Sequence, residues 1–331
     1  MTMASAQNLL TKQQMNHTGH GESITASWAG PNDLRAIADK DMKLFNDFLA
    51  DRHWLEGLFT TNIESIATRA DCFTQRSQGL FQKIICSKNT KLAVDIGAGA
   101  GNVSEELAEI YESVIALDYN FELLRFIRKR FDDDKLTNIT TIETSLLDIP
   151  IQPEIVDFVN IFGMLELVPA FTPSGTPRRA QVAFLKNVHS ILKSEGFICI
   201  GTKNKNYYEN YLKNSEPIWD TPVKSPILKP LRKVAKIFNT NQDRLNSLFA
   251  PKELTELLTE IGFKKILVYD CYPTYNRPQL IRLIKRGSMT QNFSAIAAKE
   301  NKNLKYILKL IIDYLIPSAL SHSFFIVGKK A

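Results

Sequence analysis

Leu92-Ala93-Val94-Asp95-Ile96-Gly97-Ala98-Gly99-Ala100-Gly101 is the stretch on which the reading of the fold turns. A short apolar run that stops at glycines reads as a buried parallel strand. Glycines at alternate positions let the chain turn with positive φ and let backbone approach a ligand closely. A helix then starts near Asn102, with its first amides facing the same ligand. The rival reading is the dinucleotide-binding fingerprint G-x-G-x-x-G. Its third glycine would fall on Asn102, whereas here that glycine comes one residue early, and an acidic residue stands two positions before the first. Both departures disfavour a nicotinamide cofactor.

Working outward, strands are expected at 113–117, 139–143, 156–162 and 197–201, alternating with helices at 102–111, 121–131 and 179–192. That alternation implies a parallel sheet with right-handed crossovers. Asp118 ends the second strand, where a carboxylate can accept hydrogen bonds from both hydroxyls of a ribose. Upstream, Leu34, Ile37, Met42, Phe45, Phe48 and Leu49 recur at helical spacing and predict a helical cap, with Asn32 or Asp33 able to cap its start. Residues 1–20 are polar and mixed and read as a mobile lead-in, not a signal peptide. Downstream come a helix over 251–261, a strand over 265–270 and a last strand over 323–328. About fifty residues lie between those two strands, more than a hairpin needs.

The chain has 331 residues, 44% hydrophobic and 23% charged, with four cysteines (Cys72, Cys86, Cys199, Cys271) far apart in sequence. This usage points to reduced thiols in a cytoplasmic protein and away from a disulfide framework or a zinc site. No run of about 20 apolar residues would span a membrane. The net charge of +6 divides into −6 for residues 1–202 and +12 for residues 203–331. An anionic substrate or an anionic membrane surface would be drawn to the C-terminal part, unless its lysines form a solvated face. Lys302, Lys305, Lys309 and Asp313 make a polar stripe on a helix otherwise lined by Leu304, Ile307, Leu308, Ile311, Ile312 and Leu315. Such a helix reads as core or lid, or as a helix lying on a membrane surface.

Leu92 to Gly101, Asp118, the stretch 144–151 and the stretch 156–168 resemble the successive motifs of class I S-adenosylmethionine-dependent methyltransferases. The resemblance covers about residues 90–205 and is weaker at 248–270 and 323–329. It implies a Rossmann-like α/β fold with a seven-stranded, mostly parallel sheet whose reversed last strand lies beside the sixth. Its cofactor would be S-adenosyl-L-methionine. The resemblance places Asp95, Gly97, Ala98, Gly99 and Gly101 around the methionine portion and Asp118 on the ribose. It places Ser145-Leu146-Leu147 beside the adenine, and Tyr119 and Phe162 join the cofactor set. Many members have Asp where this chain has Ser145, and many carry Leu-Glu-His where it has Leu165-Glu166-Leu167, so a histidine base is absent there. The string 162–166 and the ending 323–327 are similar to methyltransferases of bacterial polysaccharide and secondary-metabolite pathways. The Asn-Pro-Pro-Tyr type motif of amino-methylating nucleic-acid enzymes is missing, since Ile161 and Phe162 follow Asn160.

Methyl transfer from a sulfonium depends chiefly on positioning, and a hydroxyl acceptor also gains from a general base. Candidates at the carboxyl ends of the strands are Glu166, Asn204 and Tyr207, with Lys203, Tyr208, Arg277 and Arg282 for acceptor binding. Glu166 also reads as a helix-start carboxylate. Of the histidines, His53 reads as a packing residue, His189 as a surface one, and His322 as lying away from the cofactor end. The expected organisation is a lead-in and cap over 1–88, a cofactor domain over 89–271 and 321–331, and acceptor-side insertions at 205–250 and 272–320. The function expected is methylation of a small or medium acceptor, at an oxygen of a sugar, glycan or metabolite, with an anionic group recognised by the basic stretches. Nucleic acid and metal are not expected, and peripheral membrane contact stands as the alternative to a core or lid role for the basic helix. The alternatives are a nicotinamide-dependent oxidoreductase and a non-catalytic scaffold that binds the cofactor.

Overall fold

The computed structural model describes residues 34, 37–75, 77–85, 90–171, 176–207, 247–284 and 321–331. The lead-in, His17, His20, Asn32, Asp33, Tyr208, the basic stretch 221–242, Lys285, Arg286 and the amphipathic stretch 302–315 lie outside those residues. The chain forms two compact units: 1–160 with 187–197, and 161–186 with 198–331.

The described strands are β1 (Leu92–Ile96), β2 (Ser113–Asp118), β3 (Ile139–Glu143), β4 (Val156–Phe162), β5 (Leu192–Lys203), β6 (Phe263–Thr274), β7 (Arg277–Leu283) and β8 (Ser323–Lys330). They form one α/β sheet of eight strands, mostly parallel, in the order β3-β2-β1-β4-β5-β8-β6-β7. The expected seven strands are therefore eight. The reversed last strand does lie beside β6, antiparallel to it, with Val268 opposite Ile326 and Cys271 opposite Ser323. The additional strand is β7, which folds back on β6 across Tyr275 and Asn276. No glycine marks that turn, and the usual two-residue hairpin signals contain one, so the sequence reading placed Arg277 to Leu283 in an insertion.

In the first unit, β1 runs parallel to β2 and β2 to β3. Every residue of β1 is buried, as a strand covered on both faces requires. β3 is partly open, which suits its threonines. The helix Phe121–Asp133 buries Leu123, Leu124, Phe126, Ile127 and Phe131 along one face. Its start is fixed by Asn120, whose Oδ1 accepts from the Leu123 amide at 2.9 Å.

The expected helical cap is present as a series of short helices, among them Asp39–Phe48, Trp54–Thr60, Ala70–Thr74 and Gln82–Ile85. Met42, Phe45, Leu49, Trp54, Leu58 and Phe73 form a buried cluster with Ala100 of the glycine turn and with Leu123 and Phe126. His53 has a definite task here: its Nδ1 accepts from the Leu55 amide at 3.2 Å and caps the helix Trp54–Thr60.

In the second unit the helix Pro251–Ile261 has the bounds its sequence signals predict. Proline opens it, Glu253 Oε2 accepts from the Ala250 amide at 3.1 Å, and Gly262 closes it at φ +117°. No described helix is long and apolar enough to cross a membrane.

Candidate functional site

The glycine turn is built by backbone that only glycine adopts without strain. Gly97, Gly99 and Gly101 have φ of +79°, +56° and +81°. The amides of Gly97 and Ala98 donate to the Leu117 carbonyl at 2.8 and 3.0 Å, so the turn is tied to the end of β2. The three glycines do different work. A Cβ on Gly101 would stand 2.9 Å from the Phe131 ring, so that glycine serves close packing of the helix Phe121–Asp133. A Cβ on Gly99 would meet nothing nearer than Leu34, at 3.5 Å. That is ordinary van der Waals contact, so at Gly99 the left-handed φ, and not crowding, is what calls for glycine.

Asp118 is locked to that turn. Its Oδ2 accepts from the Gly99 amide at 2.9 Å and its Oδ1 from the Asn120 amide at 3.0 Å. A carboxylate offers about four lone-pair sites, and the two backbone donors fix the orientation of the group. Tyr119, half-buried, follows it. The loop after β3 joins the same place, because the Thr144 amide donates to the Asp118 carbonyl at 2.9 Å. On that loop Ser145 is exposed, with its Oγ accepting from the Leu147 amide at 3.3 Å, and Leu146 is buried. Asp95, Gly97, Ala98, Gly99, Gly101, Asp118, Tyr119, Ser145 and Leu146 are thus gathered at the carboxyl ends of β1, β2 and β3.

Asp95 lies one residue before the end of β1 and is buried. Its Oδ2 accepts from Ser104 Oγ at 2.6 Å and its Oδ1 from Asn160 Nδ2 at 2.8 Å. Burial pushes its carboxyl up to about 6; the two hydrogen bonds oppose the rise and the charge of Asp118 adds to it.

Asn102 and Arg130 carry a clamp that the sequence reading missed. Arg130 is 1% exposed, and its Nη1 donates to the Phe73 carbonyl (2.9 Å), the Ala100 carbonyl (2.7 Å) and Asn102 Oδ1 (2.9 Å). Its Nη2 pairs with Glu105, and its guanidinium lies 4.5 Å from the Trp54 ring centroid. Asn102 Nδ2 donates in turn to the Cys72 carbonyl at 2.8 Å. The residue that stands where a dehydrogenase fingerprint wants glycine therefore ties the cap to the glycine turn. No sequence signal marks Arg130, which sits at the end of a run of basic residues and looks like surface.

The acceptor candidates lie in the second unit. Glu166 is buried and accepts from Thr202 Oγ1 at 2.9 Å. Asn204 is fully buried: Nδ2 donates to the Ser321 carbonyl and Oδ1 accepts from the Asn206 amide, both at 2.9 Å. The first bond ties the residue after β5 to the segment just before β8, the second closes the local turn, and together they give Asn204 a structural task. Tyr207 is buried against His322, with ring centroids 4.8 Å apart. His322 therefore lies at the carboxyl end of β5, not away from it, because its carbonyl accepts from the Asn204 amide at 2.9 Å. Lys203 is half-buried at the end of β5.

Phe162 packs against Phe325 (centroids 5.0 Å) and Tyr275 (6.3 Å). Gly163 beside it has φ +64°, and a Cβ there would collide with the Tyr275 hydroxyl. Tyr275 is held in turn by its amide, which donates to Ser323 Oγ at 2.8 Å. Gly163→Ala is expected to lower the unfolding free energy by about 1–3 kcal/mol, the cost of left-handed backbone plus the displaced ring. Urea unfolding of the variant checks this, and a midpoint equal to wild type would show that the hairpin yields freely.

Arg282 is corrected by the structure. It is buried, with Nη2 2.6 Å from Asp270 Oδ2 and 2.8 Å from the Tyr272 hydroxyl. The β6–β7 register sets Asp270 opposite Arg282, which commits that guanidinium to the hairpin and takes it from any acceptor. Burial alone would lower its pKa, and the bond to Asp270 turns the shift upward. Arg277 remains half-buried at the start of β7. Among the described residues no group of three or more metal-ligating side chains gathers.

Residues 94–200 match a family model described as a methyltransferase domain. Residues 94–200, about a third of the chain, are thus a methyltransferase domain. That domain marks the protein as a methyltransferase. No curated protein matches the chain. Among solved structures it is similar to a SAM-dependent methyltransferase of Thermotoga maritima described as a possible histamine N-methyltransferase (14% identity, 78% of this chain and 89% of that one, TM-score 0.45). It is also similar to a SAM-dependent methyltransferase of Archaeoglobus fulgidus (17% identity, 78% and 94% covered, TM-score 0.44). A third is phosphoethanolamine N-methyltransferase 2 of Haemonchus contortus, in complex with phosphomonomethylethanolamine and S-adenosylhomocysteine (14% identity, 86% and 60% covered, TM-score 0.48).

Proposed function

We propose that the enzyme methylates an oxygen of a small or medium acceptor, a sugar, glycan intermediate or other metabolite. The observation that carries this reading is Glu166, a buried carboxylate just beyond β4, oriented by Thr202 Oγ1. A hydroxyl acceptor gives up a proton as the methyl group arrives, and a positioned carboxylate can take it. The cofactor supplies a methyl group activated on a sulfonium. Asp118 holds the ribose hydroxyls, the Gly97–Gly101 turn brings backbone against the methionine portion, and Ser145 and Leu146 border the adenine. Tyr119 and Phe162 complete the cofactor set. The cofactor of this reading is S-adenosyl-L-methionine, and the Asp118 carboxylate locked by the Gly99 amide, beside a turn of positive-φ glycines, suits it.

On the acceptor side Tyr207 orients the substrate, while Lys203 and Arg277 meet an anionic group such as a phosphate or carboxylate. The direct test offers a panel of hydroxyl, amine and carbon acceptors with methyl-labelled S-adenosylmethionine. Label on hydroxyl acceptors alone is the expected result, and label confined to amines or carbon centres would overturn it.

A further inference from the structure

A series of buried side chains runs from the helical cap to the floor of the glycine turn. Gln82, 1% exposed on the helix Gln82–Ile85, donates from Nε2 to Asn160 Oδ1 at 2.6 Å. Asn160, fully buried on β4, donates from Nδ2 to Asp95 Oδ1 at 2.8 Å. Ser104, from the helix Asn102–Ala108, donates to the other oxygen. The polarity of the series is dictated from its far end. An ionised carboxylate only accepts, so Asn160 must show it the amide NH₂, turn its own oxygen to Gln82, and draw the NH₂ of Gln82 toward it. Gln82 Oε1 consequently faces away and has no donor among the described residues. A buried acceptor left bare costs about 1–3 kcal/mol, so this orientation persists only while Asp95 holds it. The helix bearing Gln82 is itself fastened, since Lys83 pairs with Glu106 and Glu109 at 2.7 Å each.

We infer that Gln82 and Asn160 are positioning residues of the cofactor site, which hold Asp95 ionised and oriented beneath the glycine turn for the cationic end of the cofactor. The inference rests on the reading of that turn as the cofactor cradle. It assigns a cofactor-site role to the cap, where no motif marks one. Among the described residues, Ser104 from the following helix and Asn160 from β4 donate to Asp95, and the charge of Asp118 from β2 acts on it. Burial and, to a smaller extent, the charge of Asp118 oppose ionisation; the bonds from Ser104 and from Asn160, at the end of the amide series, offset them. Donors to a carboxylate favour its charged form, so removing one raises the pH at which the charge appears. A cationic ligand favours that charge, so affinity should climb as Asp95 ionises.

The test is calorimetric titration of S-adenosylhomocysteine, which keeps the ammonium group, into the full chain from pH 5 to 8. In wild type, affinity should rise from pH 5 through about 6 and then level, following Asp95. Gln82→Met removes the donor that holds Asn160 Oδ1 and frees Asn160 to turn from Asp95, so the midpoint should move upward and binding weaken several-fold near pH 6, short of the roughly tenfold of a directly lost charge-assisted bond. A purely structural role would lower affinity equally at every pH and leave the midpoint in place, and that result overturns the inference. Gln82→Ala replaces the first variant if it does not fold. Wild-type affinity that is flat between pH 5 and 7 overturns the inference without any variant. Wild type that binds no S-adenosylhomocysteine strikes the cofactor reading instead.

Discussion

Arg130→Met should lower the unfolding free energy by about 3–5 kcal/mol, the range for removing one partner of a buried ionic cluster. Methionine fills much of the same volume but donates nothing. The substitution leaves the Phe73 and Ala100 carbonyls and Asn102 Oδ1 without their donor, and Glu105 without its counter-charge. It also removes the guanidinium from the Trp54 ring. Three segments distant in sequence meet on this side chain, so the cap should loosen from the glycine turn before the sheet melts. Urea unfolding followed by tryptophan fluorescence reads both events, since Trp54 lies in the cap cluster. A loss below about 1 kcal/mol would show that surrounding groups already satisfy those acceptors.

The second large effect is expected at Glu166. Glu166→Gln keeps an oxygen that can accept from Thr202 Oγ1, so the fold should hold, but an amide cannot take a proton near neutrality. If Glu166 is the base, kcat should fall by roughly 10²–10⁴, with S-adenosylhomocysteine affinity unchanged. A kcat within a factor of about three of wild type would leave the carboxylate only its structural bond to Thr202 and move the base elsewhere, with His322 beside Tyr207 the next candidate.

Legibility followed the range of the interactions. The glycine turn, Asp118 and the helix Pro251–Ile261 could be read because their determinants are local: positive-φ glycines, a strand-end carboxylate, a proline start and a glycine stop. Arg130, Gln82 and Asn160 could not, since each acts on partners about 25 to 80 residues away and carries no motif. Arg282 shows the same limit from the other side. It sits in a stretch empty of acids and so read as an anion site, yet Asp270 lies just upstream and a hairpin without a glycine turn brings the two together. The place of His322 follows from the expected reversal of the last strand, since a residue before an antiparallel strand emerges at the carboxyl ends of its parallel neighbours.

Titration of S-adenosylhomocysteine into wild type and Asp118→Ala tests the central claim most directly. The account predicts wild-type binding in the micromolar range, on the order of −8 kcal/mol. The variant should lose roughly 1.5–3 kcal/mol, about 10- to 150-fold in affinity, because the lost hydrogen bonds are to a charged acceptor. Preferential binding of a nicotinamide nucleotide by wild type, or unchanged affinity in Asp118→Ala, would contradict it.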